Sequence, residues 1–194
     1  MARPKTHTPE VRERLVARAL EVARDEGIGA LALRSLAESA GTSTTAVYAL
    51  FGSKDALQAA VLASAFNDFA AAQEAIPATD DPVMDIAWTG ASYIQWAVDH
   101  PRLYEAMFGE TASRIASTPE LDAAGARAFA CVHDAVRRAQ ASGAFRPADE
   151  ATVVTSLWAQ VHGLASLMIA GQLPAGADPA AAAFATIDGW RAQH

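Results

Sequence analysis

Residues 42–54 read TSTTAVYALFGSK, and this stretch decides the fold. It is short and polar and lies between two longer apolar segments. Ser43 is a residue type that caps helix N-termini, which predicts a short helix over 44–50. The Gly-Ser pair that follows breaks the chain, and Ser53 is placed to cap a long fourth helix. The stretch therefore predicts a tight turn, a short helix and a second helix start.

The segment before this stretch predicts two more helices. Thr8 is a suitable N-cap, and Pro9 fits the first helical position because its missing N–H would have no helical partner there. That helix should stop at Gly27. A second helix should run from about Leu33 to Gly41, a residue suited to the left-handed position after a helix. Three helices within about 50 residues, with a tight turn between the second and third, indicate a helix-turn-helix.

The rest of the chain also has helical spacing of its apolar residues, and no stretch alternates apolar and polar residues over the length of a strand. The sequence therefore predicts an all-α protein. The prediction is an N-terminal three-helix helix-turn-helix domain over residues 1–55, followed by a larger helical domain over 56–194. The further predicted helices cover 54–76, 82–100, 101–109, 119–141, 149–171 and 179–192.

Charge is distributed unevenly between the two parts. The net charge is −7, which alone argues against a nucleic-acid partner. Residues 1–57, however, carry eight Lys/Arg and seven Asp/Glu, whereas residues 58–194 carry seven and fifteen. The N-terminal part can therefore face phosphates. Its first basic residues are Arg3, Lys5, Arg12, Arg14 and Arg18.

A helix that enters the major groove of DNA must be slim and must carry hydrogen-bonding groups. The hydroxyls and the phenol of 44–48 meet that demand, and a lysine at a helix N-terminus suits a phosphate. Val47, Leu50 and Phe51 should form the inward face of this helix. The candidate DNA-binding residues are Arg34, Ser43, Thr44, Thr45, Tyr48, Ser53 and Lys54.

These residues carry a family resemblance. LRSLAESAGTSTTAVYALFGSKDAL resembles the DNA-binding module of the tetracycline-repressor (TetR) family of bacterial regulators. The resemblance covers about residues 9–57 and departs from many members at positions 44, 45 and 50, which leaves the operator sequence open. The matching residues are Leu36, Ala37, Ala40, Gly41, Ser43, Tyr48, Phe51, Lys54 and Leu57.

The second part resembles the family's ligand-binding domains, in particular a subgroup with Trp-x-x-x-His-Gly, here Trp158, His162 and Gly163. The family implies a homodimeric regulator, a repressor released from double-stranded DNA by a small apolar molecule. It also implies that residues 1–55 form the DNA-binding domain and that 56–194 form the ligand-binding and dimerisation domain. The large side chains fall on helices that should converge, and ligand cavities are mostly apolar. The candidate ligand-binding residues are Trp88, Tyr93, Trp96, Met107, Phe108, Phe129, His133, Trp158 and His162.

Residues 151–171 carry no formal charge over a length that could span a bilayer. Polar residues interrupt the run, and no Lys/Arg cluster flanks it. The prediction is a helix buried inside protein, with no membrane partner. Its two apolar stripes, together with the final helix, also offer a surface for a second copy of the chain.

Other function classes find little support in the sequence. GIGALA at 27–32 matches a dinucleotide-binding fingerprint but follows a charged helix end instead of a strand. The histidines and Cys131 show no metal-ligand spacing, so neither an enzyme nor a cofactor is expected. A single cysteine and no leader segment favour the cytoplasm. A helical structural or adaptor dimer without DNA binding remains the alternative.

Overall fold

The computed structural model describes residues 8–192, and regular structure in this range is helical. The all-α prediction is confirmed. One-turn 3₁₀ segments at Ile28–Ala30 and Ala112–Arg114 accompany the longer helices. The α-helices are α1 Pro9–Glu26, α2 Leu33–Ser39, α3 Thr44–Phe51, α4 Lys54–Glu74, α5 Pro82–Asp99, α6 Pro101–Phe108, α7 Pro119–Ala141, α8 Glu150–Ile169 and α9 Pro179–Asp188.

The helix ends around α3 follow the predicted caps. The Ser43 hydroxyl accepts a hydrogen bond from the Ala46 N–H at 3.2 Å. The Ser53 hydroxyl accepts one from the Ala56 N–H at 3.0 Å. Gly41 has a φ of 66°, a left-handed conformation that costs glycine little because it has no Cβ. Local sequence therefore fixes where these short helices begin and end.

The last helix is shorter than predicted. The apolar spacing predicted a helix over 179–192, but α9 stops at Asp188. Beyond it the backbone pairs with another segment: the Arg146 N–H donates to the Trp190 carbonyl at 2.9 Å, and the Ala192 N–H donates to the Ala144 carbonyl at 3.0 Å. These bonds replace the helical ones, so the last residues form a short antiparallel bridge.

Helix α8 is buried on one face only, which corrects the prediction of a helix buried inside protein. Its inner face packs into the core, whereas Leu167 and Ile169 are exposed. By length and composition alone, α8 is the one helix within residues 8–192 that could cross a membrane. This is weak evidence for a membrane span, because the core helices of soluble proteins pass the same test. The buried residues of α8 are Val153, Val154, Leu157, Leu164 and Ala165.

The chain forms two compact units. The first comprises the residues up to Asn67 together with His100–Gly125, and the second comprises Asp68–Asp99 together with the residues from Ala126 onward. In the first unit α1, α2 and α3 pack together, and α6 packs against α1. The buried residues of this unit include Leu15, Ala19, Leu36, Val47, Leu57, Val61 and Leu103. The functional boundary at residue 55 stays a prediction.

The core of the second unit is built from α5, α7, α8 and α9. Its largest fully buried side chains include Phe145 between α7 and α8, and Val136 and Val153 on those helices. Helix α5 packs against both α8 and α9. The cluster comprises Val83, Ile86, Ala135, Val136, Ala139, Phe145, Val153, Val154, Leu157 and Ile187.

A buried carboxylate joins α5 to α7 in this unit. Asp85 accepts hydrogen bonds from the Thr79 N–H at 2.9 Å and from the Thr79 hydroxyl at 2.7 Å. A nitrogen of the Arg138 guanidinium lies 2.9 Å from Oδ2 of Asp85, the oxygen that also accepts from the Thr79 N–H. Burial raises the pKa of Asp85, but the bonds from Thr79 and Arg138 outweigh it and hold that pKa below its usual value. Asp85 therefore stays ionised and fixes the loop before α5.

Candidate functional site

The exposed face of α3 carries the central candidate residues. Ala46 and Val47 are buried, which seats the helix on the first unit. Thr45 and Tyr48, three positions apart, lie on the opposite face, and 54% of Tyr48 is exposed. Residues three apart on a helix are neighbours, so a hydroxyl and a phenol point outward together. Thr44, at the start of the helix, is half-buried.

The predicted inward face of α3 is only partly inward. Val47 is buried as predicted, but Leu50 and Phe51 are half-buried. The Phe51 ring has the Arg12 guanidinium 5.3 Å from its centroid, and Arg12 also pairs with Glu120 at 2.6 Å. An aromatic ring can hold a cation over its face, which explains why Phe51 remains partly open.

Basic residues lie on the helices before and after α3. Lys54, at the N-terminus of α4, is half-buried, and Arg34 on α2 is exposed. Neither side chain has an ion pair or a hydrogen bond to another residue within 8–192. A helix N-terminus with a lysine attracts phosphate through its free N–H groups, its dipole and the added charge. Arg3 and Lys5, also expected to face phosphates, lie outside the described residues.

The seven candidate DNA-binding residues therefore all belong to the first unit, and they combine cations, hydroxyls and a phenol at a helix-turn-helix. Ser43 and Ser53 already accept capping bonds, which leaves them as supports for the helix ends. This set of groups can bind phosphates and hydrogen-bond base edges.

The second unit contains a small apolar cavity between the end of α4 and helices α5, α7, α8 and α9, with a volume of about 40 Å³. No Asp, Glu, Lys, Arg or His of the described chain lines it. That volume holds a water molecule but is well below the roughly 150 Å³ of a cavity that binds benzene. The lining residues are Gln73, Ile86, Ala87, Thr89, Gly90, Tyr93, Ala128, Phe129, Val132, Leu157, Trp158, Gln160, Val161, Ala183, Thr186 and Ile187.

Three of the candidate ligand-binding residues meet at this cavity: Tyr93, Phe129 and Trp158. The rings of Phe129 and Trp158 pack edge to face, with their centroids 5.3 Å apart. Edge-to-face contacts of this kind stabilise aromatic pairs beyond their area burial. The structure thus collects residues from α5, α7 and α8 that are far apart in the sequence.

His162 is linked to the cavity through hydrogen bonds. The Trp158 indole N–H donates to the Tyr93 hydroxyl at 3.3 Å, and that hydroxyl lies 3.2 Å from Nδ1 of His162. Burial lowers the pKa of His162, which favours the neutral ring. A neutral Nδ1 can accept the Tyr93 proton, so the bonds run in one direction from Trp158 to His162.

The remaining candidate ligand-binding residues lie elsewhere. Trp96 is buried against Phe69, with ring centroids 5.1 Å apart. Trp88 is 43% exposed, and His133 pairs with Glu150 at 2.7 Å. Met107 and Phe108 belong to α6 of the first unit. None of these five side chains lines the cavity.

Two buried polar residues of the cavity lining were absent from the sequence-based candidates. Gln73 on α4 is 3% exposed and Thr89 on α5 is 7% exposed. The signal that could have found them is a polar residue on the apolar face of a helix, as in AAAQEAI and IAWTGA. Within residues 8–192, no three His, Cys, Asp or Glu side chains are placed to hold a metal ion.

Family models match both parts of the chain. The model described as "Bacterial regulatory proteins, tetR family" matches residues 15–61. The model described as "Tetracyclin repressor-like, C-terminal domain" matches residues 86–189, more than half of the chain. The first match covers α3 and its flanking basic residues, and the second covers most of the cavity lining.

Individual proteins agree with these matches. The HTH-type transcriptional regulator Rv1816 of Mycobacterium tuberculosis is 28% identical, with 84% of each chain covered. A protein of unknown function from Rhodococcus sp. RHA1 has a TM-score of 0.78 at 28% identity, covering 97% of this chain and 96% of that one. RolR in complex with its ligand resorcinol has a TM-score of 0.68 at 18% identity, covering 93% and 87%. At this level of identity, the similarity to RolR shows a shared fold alone.

Proposed function

The chain belongs to the TetR family of bacterial transcriptional regulators, and we propose that it is a repressor whose operator is read by α3. Members of this family are DNA-binding, ligand-responsive regulators that act as dimers, and they are generally not enzymes. The observation that carries the proposal is the exposed Thr45–Tyr48 face of α3, together with the cations Arg34 on α2 and Lys54 on α4, which have no ion pair within residues 8–192. A bacterial repressor works in the cytoplasm, where its operator is.

The candidate residues have different roles in this proposal. Thr45 and Tyr48 contact base edges in the major groove, since both are exposed on α3 and carry hydrogen-bonding groups. Arg34 and Lys54 contact phosphates on either side and set the register of the helix on the duplex. Ser43 and Ser53 hold the ends of α3 and α4 in place.

A second copy of the chain is the proposed partner on α8 and α9. Leu167 and Ile169 on α8 and Phe184 on α9 are large apolar residues that are 36–38% exposed in the single chain. Helices α8 and α9 pack together, and exposed apolar patches usually mark protein interfaces. Two copies of α8 and α9 would pair as a four-helix bundle, and two reading helices would then meet two operator half-sites.

The small apolar effector is proposed to bind at the cavity of the second unit. Tyr93, Phe129 and Trp158 are its aromatic walls, and the Trp158-x-x-x-His162-Gly163 motif marks the proposed subgroup. The resorcinol complex of RolR supports the idea that this fold can hold a small ring. Helix α4 begins at Lys54 and continues past Asn67 into the second unit. Its movement would therefore change the spacing between the two copies of α3 in the dimer.

The switch has a defined energetic requirement. A hundredfold loss of operator affinity requires the effector to favour the non-binding arrangement by about 2.7 kcal/mol. Trp158→Ala and His162→Ala should both weaken effector binding if the cavity is the effector site. Thermal-shift screening followed by operator titration with each compound measures both quantities.

Selection of bound fragments from genomic DNA, followed by titration of the selected fragment, tests the DNA-binding role. Tyr48→Ala should reduce affinity for the selected fragment by about 1–3 kcal/mol, with little change on unrelated DNA. Lys54→Ala should weaken binding to all DNA and reduce the salt slope by about one unit. Trp88→Ala, an exposed aromatic of the second unit, is the matched control for Tyr48. Unchanged affinity and salt slope in both variants would mean that α3 and Lys54 do not form the DNA-contacting surface. Recovery of no bound fragment would favour a dimeric adaptor without DNA binding.

A further inference from the structure

Two buried polar side chains line the apolar cavity, and each has an oxygen without a hydrogen-bond partner within residues 8–192. The Gln73 amide donates one N–H to the Ala128 carbonyl at 3.1 Å. Its side-chain carbonyl has no hydrogen bond to any residue within 8–192, and neither does the Thr89 hydroxyl. Both side chains are more than nine-tenths buried. Buried polar groups are normally bonded, so an unbonded pair at one cavity points to a further molecule that bonds them.

The cavity also selects against charge. Among the residues that the structure describes, its lining contains no carboxylate and no Lys, Arg or His, so an ion entering it would lose its hydration without gaining a counter-charge. The polar groups present are amides, hydroxyls and the Trp158 indole. They can bond a neutral alcohol, phenol or amide.

We propose that this cavity binds an uncharged, mainly apolar molecule that carries a hydroxyl group, which donates to the Gln73 carbonyl and pairs with the Thr89 hydroxyl. The inference rests on the proposed function only in treating the cavity as the effector site. It adds the chemical class of the effector and the two side chains that recognise it.

The volume adds a further condition. About 40 Å³ is too small for an aromatic ring, so the walls must move apart when such a molecule enters. Ala183, Thr186 and Ile187 of the ten-residue α9 form one wall. Binding energy spent on moving this wall lowers the apparent affinity. A water molecule needs no such movement and is the competing occupant.

The first test uses the full-length protein and three probes that share a benzene ring: phenol, toluene and benzoate. We expect calorimetric titration to show phenol binding and benzoate binding at least about tenfold more weakly, because a buried carboxylate lacks a partner. Benzoate binding as tightly as phenol, or no binding of phenol and toluene, would overturn the proposal.

Thr89→Val removes the hydroxyl while keeping the side-chain shape. Phenol affinity should fall about five- to tenfold, the size of one hydrogen bond, while toluene affinity stays the same. The melting temperature of the free protein should rise by about 2–4 °C, since an unbonded buried hydroxyl is lost. The matched control is Thr155→Val, which removes an exposed hydroxyl of α8 and should change none of these quantities.

A lower melting temperature in Thr89→Val with unchanged phenol affinity would mean that the hydroxyl holds a structural water, and it would overturn the proposal. Operator titration separates this inference from the regulatory function. If phenol binds as expected but leaves operator affinity unchanged, the ligand class stands and the proposed switch fails. If Thr89→Val leaves phenol affinity unchanged while an effector still releases the operator, the switch stands and the assignment of Thr89 fails.

Discussion

The two units of this protein place their candidate functional residues in opposite environments. In the first unit Thr45, Tyr48 and Arg34 are exposed, and the core lies behind them. In the second unit Tyr93, Thr89 and Gln73 are all less than one-tenth exposed and form part of the interior. A DNA-reading surface can therefore change without disturbing its fold, whereas the residues of the cavity also contribute to packing and stability.

The difference follows from the size of the partners. DNA is too large to enclose, so the first unit must present its polar groups on a slim helix. A small molecule is recognised by enclosing it, so the second unit keeps a few polar groups inside an apolar wall. Substitutions on the exposed surface of the first unit should therefore change DNA affinity, whereas substitutions in the interior of the second unit should change the free energy of unfolding.

The largest expected effect is in the interior of the second unit. Asp85→Ala should lower the free energy of unfolding by about 3–5 kcal/mol, because it leaves Arg138 and Thr79 without their buried partner. Thermal unfolding measures it. Asp134→Ala is the matched control, because Asp134 also pairs with Arg138 at 3.0 Å but is 57% exposed. It should cost at most about 1 kcal/mol. Equal losses in the two variants would contradict the importance of burial.

Because of Asp85, the free energy of unfolding should depend on pH in the acid range. The pKa of Asp85 is lowered in the folded protein, so its contribution is fully present above the unfolded value of 3.8 and is lost as the pH falls towards the folded pKa. Wild-type protein should therefore lose more stability than Asp85→Ala on acidification below about pH 4. Parallel pH profiles of unfolding in the two proteins would show that Asp85 contributes nothing.

A pair of identical substitutions compares the two units directly. Tyr93→Phe removes the hydroxyl between Trp158 and His162 and should lower the free energy of unfolding by about 1–2 kcal/mol. Tyr48→Phe removes an exposed hydroxyl and should leave the melting temperature unchanged while reducing operator affinity. Thermal unfolding and operator titration of both variants check this. A larger loss of stability in Tyr48→Phe than in Tyr93→Phe would contradict the difference between the two units.

A smaller effect is expected from His162, which is only partly buried. Burial lowers the pKa of His162, so below about pH 6.5 the unfolded chain binds a proton more readily than the folded protein does. The free energy of unfolding therefore decreases as the pH is lowered, until the folded pKa is reached. His162→Gln, which cannot gain the proton, should remove this part of the pH dependence. Unfolding measured between pH 7.5 and 5 tests it. An unchanged profile in the variant would place the pH dependence in another group.

The smallest effect is expected at the surface of the first unit. Arg12→Ala removes an ion pair with Glu120 whose partners are 36% and 52% exposed, together with a contact to the Phe51 ring. Exposed pairs contribute about 0.2–1 kcal/mol, and salt reduces that contribution further. Chemical denaturation at low and high salt measures it. A loss near that of Asp85→Ala would show that this surface is as tightly coupled to stability as the interior of the second unit.

Local sequence determined the first unit in most respects. Ser43 and Ser53 marked helix starts and Gly41 marked a turn, because caps and left-handed positions depend on a few neighbouring residues. Thr8 stands at the N-cap position of α1, but its side chain makes no capping bond. The same short range made Tyr48 and Lys54 recognisable as surface candidates. The predicted end of α9 was wrong because the hydrogen bonds that replace its last turn come from Ala144 and Arg146, about 45 residues away.

The cavity was decided by tertiary structure. The sequence alone indicated the aromatic residues of the second part, but it could not separate Tyr93, Phe129 and Trp158, which meet at one cavity, from Trp88 on the surface. Gln73 and Thr89 looked like ordinary polar positions on their helices. Helical spacing tells which residues share a face of one helix, whereas a cavity depends on which faces of α5, α7, α8 and α9 pack together, and that is set by side-chain packing across the whole unit.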